Sequence, residues 1–232
     1  MASDRPVNEL DPSGRLDARQ ELARILDHTL RRADATAREV ETLCAEALEH
    51  GFFSVCVNGS RVARAAARLE ESPVKVTCAI GFPFGAADAD VKRYEVEAAL
   101  DSGAQIFEVA AHVGLVKDGD AAALLRELRD IVEAAEERPV SIGFDPLLLR
   151  GDEREQLCRL AVEAGAKGVT IPGHADTAVS IQSVRQLAAV AGGNFGIKMD
   201  CHSLARTDVV ALLDAGVTRF GLADSVRLLN SL

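Results

Sequence analysis

Three times in this chain a helical pattern ends in a small–glycine–small triplet and gives way to a short strand-like run. The triplets are Ser102-Gly103-Ala104, Ala164-Gly165-Ala166 and Ala215-Gly216-Val217. Glycine just past a helix end adopts the left-handed conformation that closes the helix, and a strand beginning within a few residues is the helix-to-strand connection of a parallel sheet. The echo returns after about 50 to 60 residues, the length of two strand–helix units. Eight apolar, β-branched runs fit this rhythm, at 25–29, 53–57, 74–80, 106–111, 140–144, 168–171, 195–199 and 219–222. Helical patterns precede, separate and follow them, at 17–24, 36–50, 61–70, 88–102, 120–137, 152–164, 177–191, 207–215 and 224–232. A chain of 232 residues with eight such units predicts an α/β fold, a single (β/α)8 TIM barrel over 17–232 behind a disordered leader at 1–16. A doubly wound open sheet would carry a glycine-rich fingerprint after its first strand. The stretch from Leu26 to Arg31 has no glycine.

Local signals support the helix positions. Thr36 and Glu39 have the spacing of a capping box, and Gly51 closes the helix they begin. The 88–102 pattern is read with Val91, Val96, Ala98 and Leu100 inward. Asp118 and Asp120 are read as an N-cap pair for the helix that follows.

Composition narrows the function. Apolar residues make up 48% of the chain, enough for a sizeable core, and the formal net charge is −10 without a basic run. Such a chain repels phosphate backbones and acidic lipid, so neither nucleic acid nor membrane is an expected partner. No apolar run approaches the roughly 18 residues of a spanning helix. The first residues are polar, with Pro6, Pro12 and Gly14, and lack the apolar centre of a secretory signal, so a cytoplasmic protein is expected. The five cysteines, at 44, 56, 78, 158 and 201, are odd in number and have no CxxC spacing. They read as free thiols.

In a parallel barrel, chemistry sits at the C-terminal ends of the strands. Pro172-Gly173 ends the sixth run and leaves Thr170 and His174 there, and the seventh run delivers Lys198, Asp200 and His202 to the same rim. Glu108 and His112 come from the fourth. A lysine buried among apolar residues loses its proton more easily, and the neutral amine attacks carbonyls. Lys198 is therefore the candidate nucleophile, with Glu108, His112, His174, Asp200 and His202 as acid–base groups. Asp27, Asn58, Asp145, Thr170 and Asp224 are candidate substrate-binding residues, and Cys56 is read as lining the same pocket. No close-spaced ligand motif occurs, so neither a metal nor a cofactor is expected.

Several motifs together resemble the deoxyribose-phosphate aldolase family. They are Leu-Asp-His-Thr-Leu at 26–30, Ser-Val-Cys-Val-Asn at 54–58, Ile-Gly-Phe-Pro-Phe-Gly at 80–85, Glu108 with Lys-Asp-Gly-Asp at 117–120, Glu-Ala-Gly-Ala at 163–166, Gly-Ile-Lys at 196–198, and Ala215-Gly216 with Arg-Phe-Gly at 219–221. The resemblance covers nearly the whole chain after residue 20. It implies the barrel and imine-based cleavage of a carbon–carbon bond. It also marks this chain as divergent. The family's imine-forming lysine lies in a Val-Lys-Thr-Ser pattern on the sixth strand, where this chain reads Val169-Thr170-Ile171-Pro172. Lys167, three residues earlier at ~3.3 Å per residue, belongs to the opposite rim. The family's second lysine matches Lys198, its fourth-strand aspartate matches Glu108, and its first-strand aspartate matches Asp27. The glycine pair of its phosphate nest is replaced by Asp200-Cys201-His202, and the loop after the eighth strand reads Leu222-Ala223-Asp224.

The sequence thus leads to an aldolase-like lyase acting on a small polar carbonyl compound other than deoxyribose-5-phosphate, with Lys198 forming the imine. The alternatives are an imine-independent dehydratase, isomerase or cyclase on the same barrel, and a non-catalytic regulator. The expected partners are the small-molecule carbonyl substrate and a second copy of the chain in a homodimer.

Overall fold

The computed structural model describes residues 15–231. The expected leader at 1–16 lies outside the described residues except for its last two, which open the first helix, and Leu232 lies outside them as well. The elements run α1 (Arg15–Ala23), β1 (Leu26–Leu30), α2 (Ala37–His50), β2 (Ser54–Asn58), α3 (Val62–Leu69), β3 (Lys75–Ile80), α4 (Ala89–Asp101), β4 (Ile106–Ala110), α5 (Val113–Asp118) and α6 (Ala121–Ala134). Then follow β5 (Val140–Gly143), α7 (Gly151–Glu163), β6 (Gly168–Pro172), α8 (Thr177–Ala191), β7 (Gly196–Cys201), α9 (Arg206–Ala215), β8 (Arg219–Leu222) and α10 (Ser225–Asn230). All eight strands are parallel and close in sequence order, β8 pairing with β1. This is a single (β/α)8 barrel. Among the described residues no helix is long and apolar enough to cross a membrane.

The glycines of the repeated triplets do the work their position requires. Gly103, Gly165 and Gly216 have φ of 100°, 91° and 118°, a region that any Cβ makes costly. Thr36 and Glu39 form the reciprocal capping box at the start of α2. Asp120 caps α6, while Asp118 is the last residue of α5 and caps nothing. That short helix breaks into the loop after β4, and its six residues give too brief a pattern to read from sequence.

Strand pleat decides where the core lies, because successive side chains face opposite sides. The outward positions are mostly apolar, for example Leu26, Val55, Phe107, Ile142, Val169, Ile197 and Phe220, none more than 2% exposed. They pack against the inner faces of the helices in one continuous core. The inward positions are mostly polar, including Asp27, Ser54, Thr77, Glu108, Thr170 and Lys198, all buried. Ser54 and Thr77 share a hydrogen bond of 3.0 Å across the lumen wall, and Ser141 and Thr170 one of 2.9 Å. Barrel lumens are usually filled by branched apolar side chains. This one is lined by groups that must find partners, since an unpaired polar atom away from water is costly.

α4 departs from its sequence reading. Val91 and Ala98 are exposed and Leu100 is half-buried, whereas Lys92, Val96 and Ala99 face the core. The fully buried Lys92 donates to Glu127 of α6 at 2.7 Å and to the carbonyl of Ala110 at 3.1 Å. A lysine does not signal a core position in a sequence, but its long stem fills apolar space while the ammonium reaches an acceptor.

Removing one partner of a buried pair leaves an uncompensated charge, whereas removing both is far milder. Lys92→Met should therefore cost about 3–5 kcal/mol in urea unfolding. The double variant Lys92→Met with Glu127→Leu should recover most of that loss. A double variant as unstable as the single one would contradict this account.

Candidate active site

At the C-terminal end of the barrel the lumen opens into a cavity of about 990 Å³. Its wall includes Arg31, Glu108, Asp145, Thr170, Asp200, His202 and Gly221, with Phe82 and Pro83 from the loop after β3. Beneath it lies Lys198, 5% exposed. The residues converge because they occupy inward positions on strands that close on one another: Asp27 on β1, Glu108 on β4, Lys198 and Asp200 on β7, and Arg219 on β8. Register places Asp200 and Asp27 on either side of Gly221. A Cβ at Gly221 would lie 1.9 Å from Asp200 Oδ1 and 2.7 Å from Lys198 Cε. Glycine there is what lets both side chains enter the lumen.

The charges form one network. Lys198 Nζ donates to Asp27 Oδ2 at 2.7 Å, contacts Glu108 Oε1, and lies 3.5 Å from Asp200 Oδ1. Arg219 donates to Asp27 Oδ2 at 2.9 Å and stacks on Phe53, its guanidinium carbon 3.9 Å from the ring centre. Arg31 donates to Asp200 Oδ2 at 2.6 Å, reaches within 3.6 Å of Glu108 Oε2 and lies over the ring of Phe82 at 4.5 Å. Three carboxylates thus face three cations, with Asp27, Glu108 and Lys198 buried and Arg31, Asp200 and Arg219 part-exposed. The Cys56 thiol is directed at Glu108 Oε2, 3.8 Å away.

Burial and charge act in opposite directions here. Burial pushes Asp27 up, but the fields of Lys198 and Arg219 and their hydrogen bonds outweigh it and hold its pKa below the ordinary value. Burial pulls Lys198 down, and Asp27, Glu108 and Asp200 together raise it well above 10.5. Glu108 is raised, chiefly by burial; the pull of Lys198 and Arg31 is offset by Asp200 and Asp27. Burial, then the Glu108 charge, drives the Cys56 thiol far up, so it is not a resting thiolate. The expectation that a buried Lys198 sheds its proton readily is therefore corrected. Its neighbours are carboxylates, and they favour the ammonium.

The other candidates divide into two groups. Thr170, Asp145 and His202 stand on the cavity wall. Asp145 also caps its own turn, accepting from the Leu147 N–H at 2.8 Å. Asn58 does not line the cavity; its Nδ2 donates to the carbonyl of Arg31 at 2.9 Å and so steadies that residue. His112 and His174 do not reach the cavity. Each spends Nδ1 on a backbone N–H, that of Leu115 at 3.2 Å and that of Asp176 at 3.0 Å, and each opens on a separate cleft. Asp224 faces a side cleft beside Arg227, apart from Asp200, so the two aspartates do not converge on one anion position. Lys167 is exposed at the start of β6, away from the cavity. Among the described residues, no three His, Cys, Asp or Glu side chains are grouped to hold a metal ion.

Sequence reasoning missed Arg31 and did not read Arg219 as the partner of Asp27. A signal existed for Arg31: it continues the inward parity of Asp27 and Thr29, one step beyond the last residue of β1.

A comparison with protein-family models gives no match. Curated relatives do match over most of the chain. The deoxyribose-phosphate aldolase of Coprothermobacter proteolyticus is 37% identical over 213 residues, 91% of this chain and 97% of that protein. That of Bdellovibrio bacteriovorus is 34% identical over 211 residues, 90% and 96% of the two chains. Among solved structures, the tetrameric deoxyribose phosphate aldolase of Aeropyrum pernix superposes with a TM-score of 0.83 at 27% identity, covering 94% of this chain and 93% of that one. With the same barrel and this level of identity over nine-tenths of its length, the chain belongs to the deoxyribose-phosphate aldolase family.

Proposed function

We propose that this chain is an aldolase-type carbon–carbon lyase acting on a small, polar, unphosphorylated carbonyl compound, with Lys198 as the imine-forming residue. The observation that carries the reading is the buried contact between Lys198 and Glu108 under the cavity floor. The free amine needed for attack arises when Lys198 passes a proton to Glu108, whose raised pKa eases the transfer. The amine nitrogen then bonds to the carbonyl carbon, water leaves as the C=N bond forms, and Glu108 returns its proton to the departing oxygen. Loss of the proton from a hydroxyl β to the imine carbon then breaks the carbon–carbon bond. The electrons pass into the enamine, which is reprotonated and hydrolysed. Thr170, where the family has its lysine, cannot form an imine and serves with Ser141 as a hydroxyl pair toward the substrate.

The wall chemistry supports an unphosphorylated ligand. The relatives are named for a phosphate ester, but this cavity is lined by Glu39, Glu46, Glu108, Asp145 and Asp200 against Arg31 and Arg32. Unit charges ~4 Å apart interact by about 4 kcal/mol at an effective dielectric near 20, and a phosphate carries nearly two charges. Hydroxyl or amine groups suit such a wall better.

One observation favours a second reading. The three carboxylates around Lys198 stabilise its ammonium. A lysine that stays charged would polarise a carbonyl while Glu108 moves protons, as in an imine-free dehydratase or isomerase.

Borohydride added with a turning-over substrate should leave a stable adduct on Lys198, read by mass spectrometry of the digest. Lys198→Met should lose activity by on the order of 10²–10⁴-fold. Lost activity without an adduct would select the imine-free reading. Activity retained in Lys198→Met would remove Lys198 from both.

2-Deoxyribose-5-phosphate should be cleaved no better than the unphosphorylated sugar in kcat/KM. An advantage above about tenfold, or 1.4 kcal/mol of transition-state binding, for the phosphate ester would overturn the charge argument.

A further inference from the structure

We propose that Arg31 is a positioning residue that fixes the charge state of the Lys198–Glu108 pair from the cavity side. Asp27 has a cation of its own in Arg219, in addition to Lys198. Among the described residues, Glu108 and Asp200 have only Lys198 and Arg31 between them. Arg31 is built for that duty rather than free to serve elsewhere. Its carbonyl accepts from Asn58, its guanidinium is stacked on Phe82, and its side chain is 16% exposed. Without it, three carboxylates in the lumen would face two cations, and the least costly relief is a proton on Glu108. The groups facing Glu108 are Lys198 and Asp200 from β7, Asp27 from β1, Arg31 from the turn after it, and Cys56 from β2. A Glu108 already protonated at rest cannot accept the proton of Lys198. Arg31 therefore keeps the acceptor open. This catalytic consequence rests on the proposed function, but the charge assignment does not, and its test needs no substrate.

A carboxyl whose pKa is raised on folding holds a proton in the folded state that the unfolded chain has released. Its contribution to stability therefore falls as pH rises from the unfolded value through the folded one. Arg31→Met should push that folded value of Glu108 higher. The variant's deficit in urea unfolding, relative to the parent, should then grow between about pH 5 and about pH 8, by at least about tenfold in the folding constant, and shrink on acidification. Arg31→Met with Asp200→Asn leaves two carboxylates facing two cations and should restore the parental pH dependence. Loss of packing on Phe82 alone predicts a deficit equal at every pH, with no restoration in the double variant, and that result would overturn the proposal. Should Arg31→Met fail to fold, Arg31→Lys keeps the charge without the planar fork. It should retain the parental pH dependence, and a steeper dependence would equally overturn the assignment.

Discussion

Asp27 is fully buried inside the barrel, and a buried carboxylate survives only with partners. The two cations that hold it, Lys198 and Arg219, sit on adjacent strands at registered positions. Much of the rest of the site follows from that requirement. Lys198 brings a second carboxylate, Glu108, and lies close to a third, Asp200. The third draws in Arg31, and Arg31 needs Phe82 and Asn58 to keep its place. Gly221 provides the space in which Lys198 and Asp200 meet. The polar lumen is thus a single coupled set of charges, and the apolar core has been displaced outward to the layer between strands and helices.

Such a lumen contributes less to stability than a packed apolar one would, because desolvation offsets much of the attraction within buried ion pairs. What it provides is a preorganised electrostatic environment at the mouth of the barrel. The fixed dipoles and charges need not reorganise when a ligand arrives. Family membership accounts for the barrel; on the proposed function, with Thr170 on the sixth strand, imine formation falls to Lys198 and whatever controls its proton.

The barrel was legible because its signals are local. Gly103, Gly165 and Gly216 announced helix ends that the left-handed φ values bear out, and Thr36 with Glu39 announced a helix start. The convergence of Asp27, Glu108, Lys198 and Asp200 was legible from strand ends and the motifs that carry the family resemblance. The proton on Lys198 was not, because its charge state depends on which side chains meet it across the lumen. The histidines misled for a related reason. A residue following a strand can face the cavity or turn back onto the next helix, and His112 and His174 turn back to cap backbone N–H groups. Lys92 was hidden because its partner Glu127 lies on a different helix. Asp224 follows its strand and Asp200 lies next to the end of its own, yet the chain carries Asp224 into the side cleft beside α10.

In the resting protein Lys198 is an ammonium held among three carboxylates. Carbon-13 NMR of protein labelled at lysine Cε reads it directly, since the chain has only five lysines and Lys198→Met assigns the signal by its loss. A Lys198 resonance that stays in the ammonium range past pH 10.5, the ordinary lysine value, is expected. A Lys198 signal that becomes neutral below that pH would contradict it.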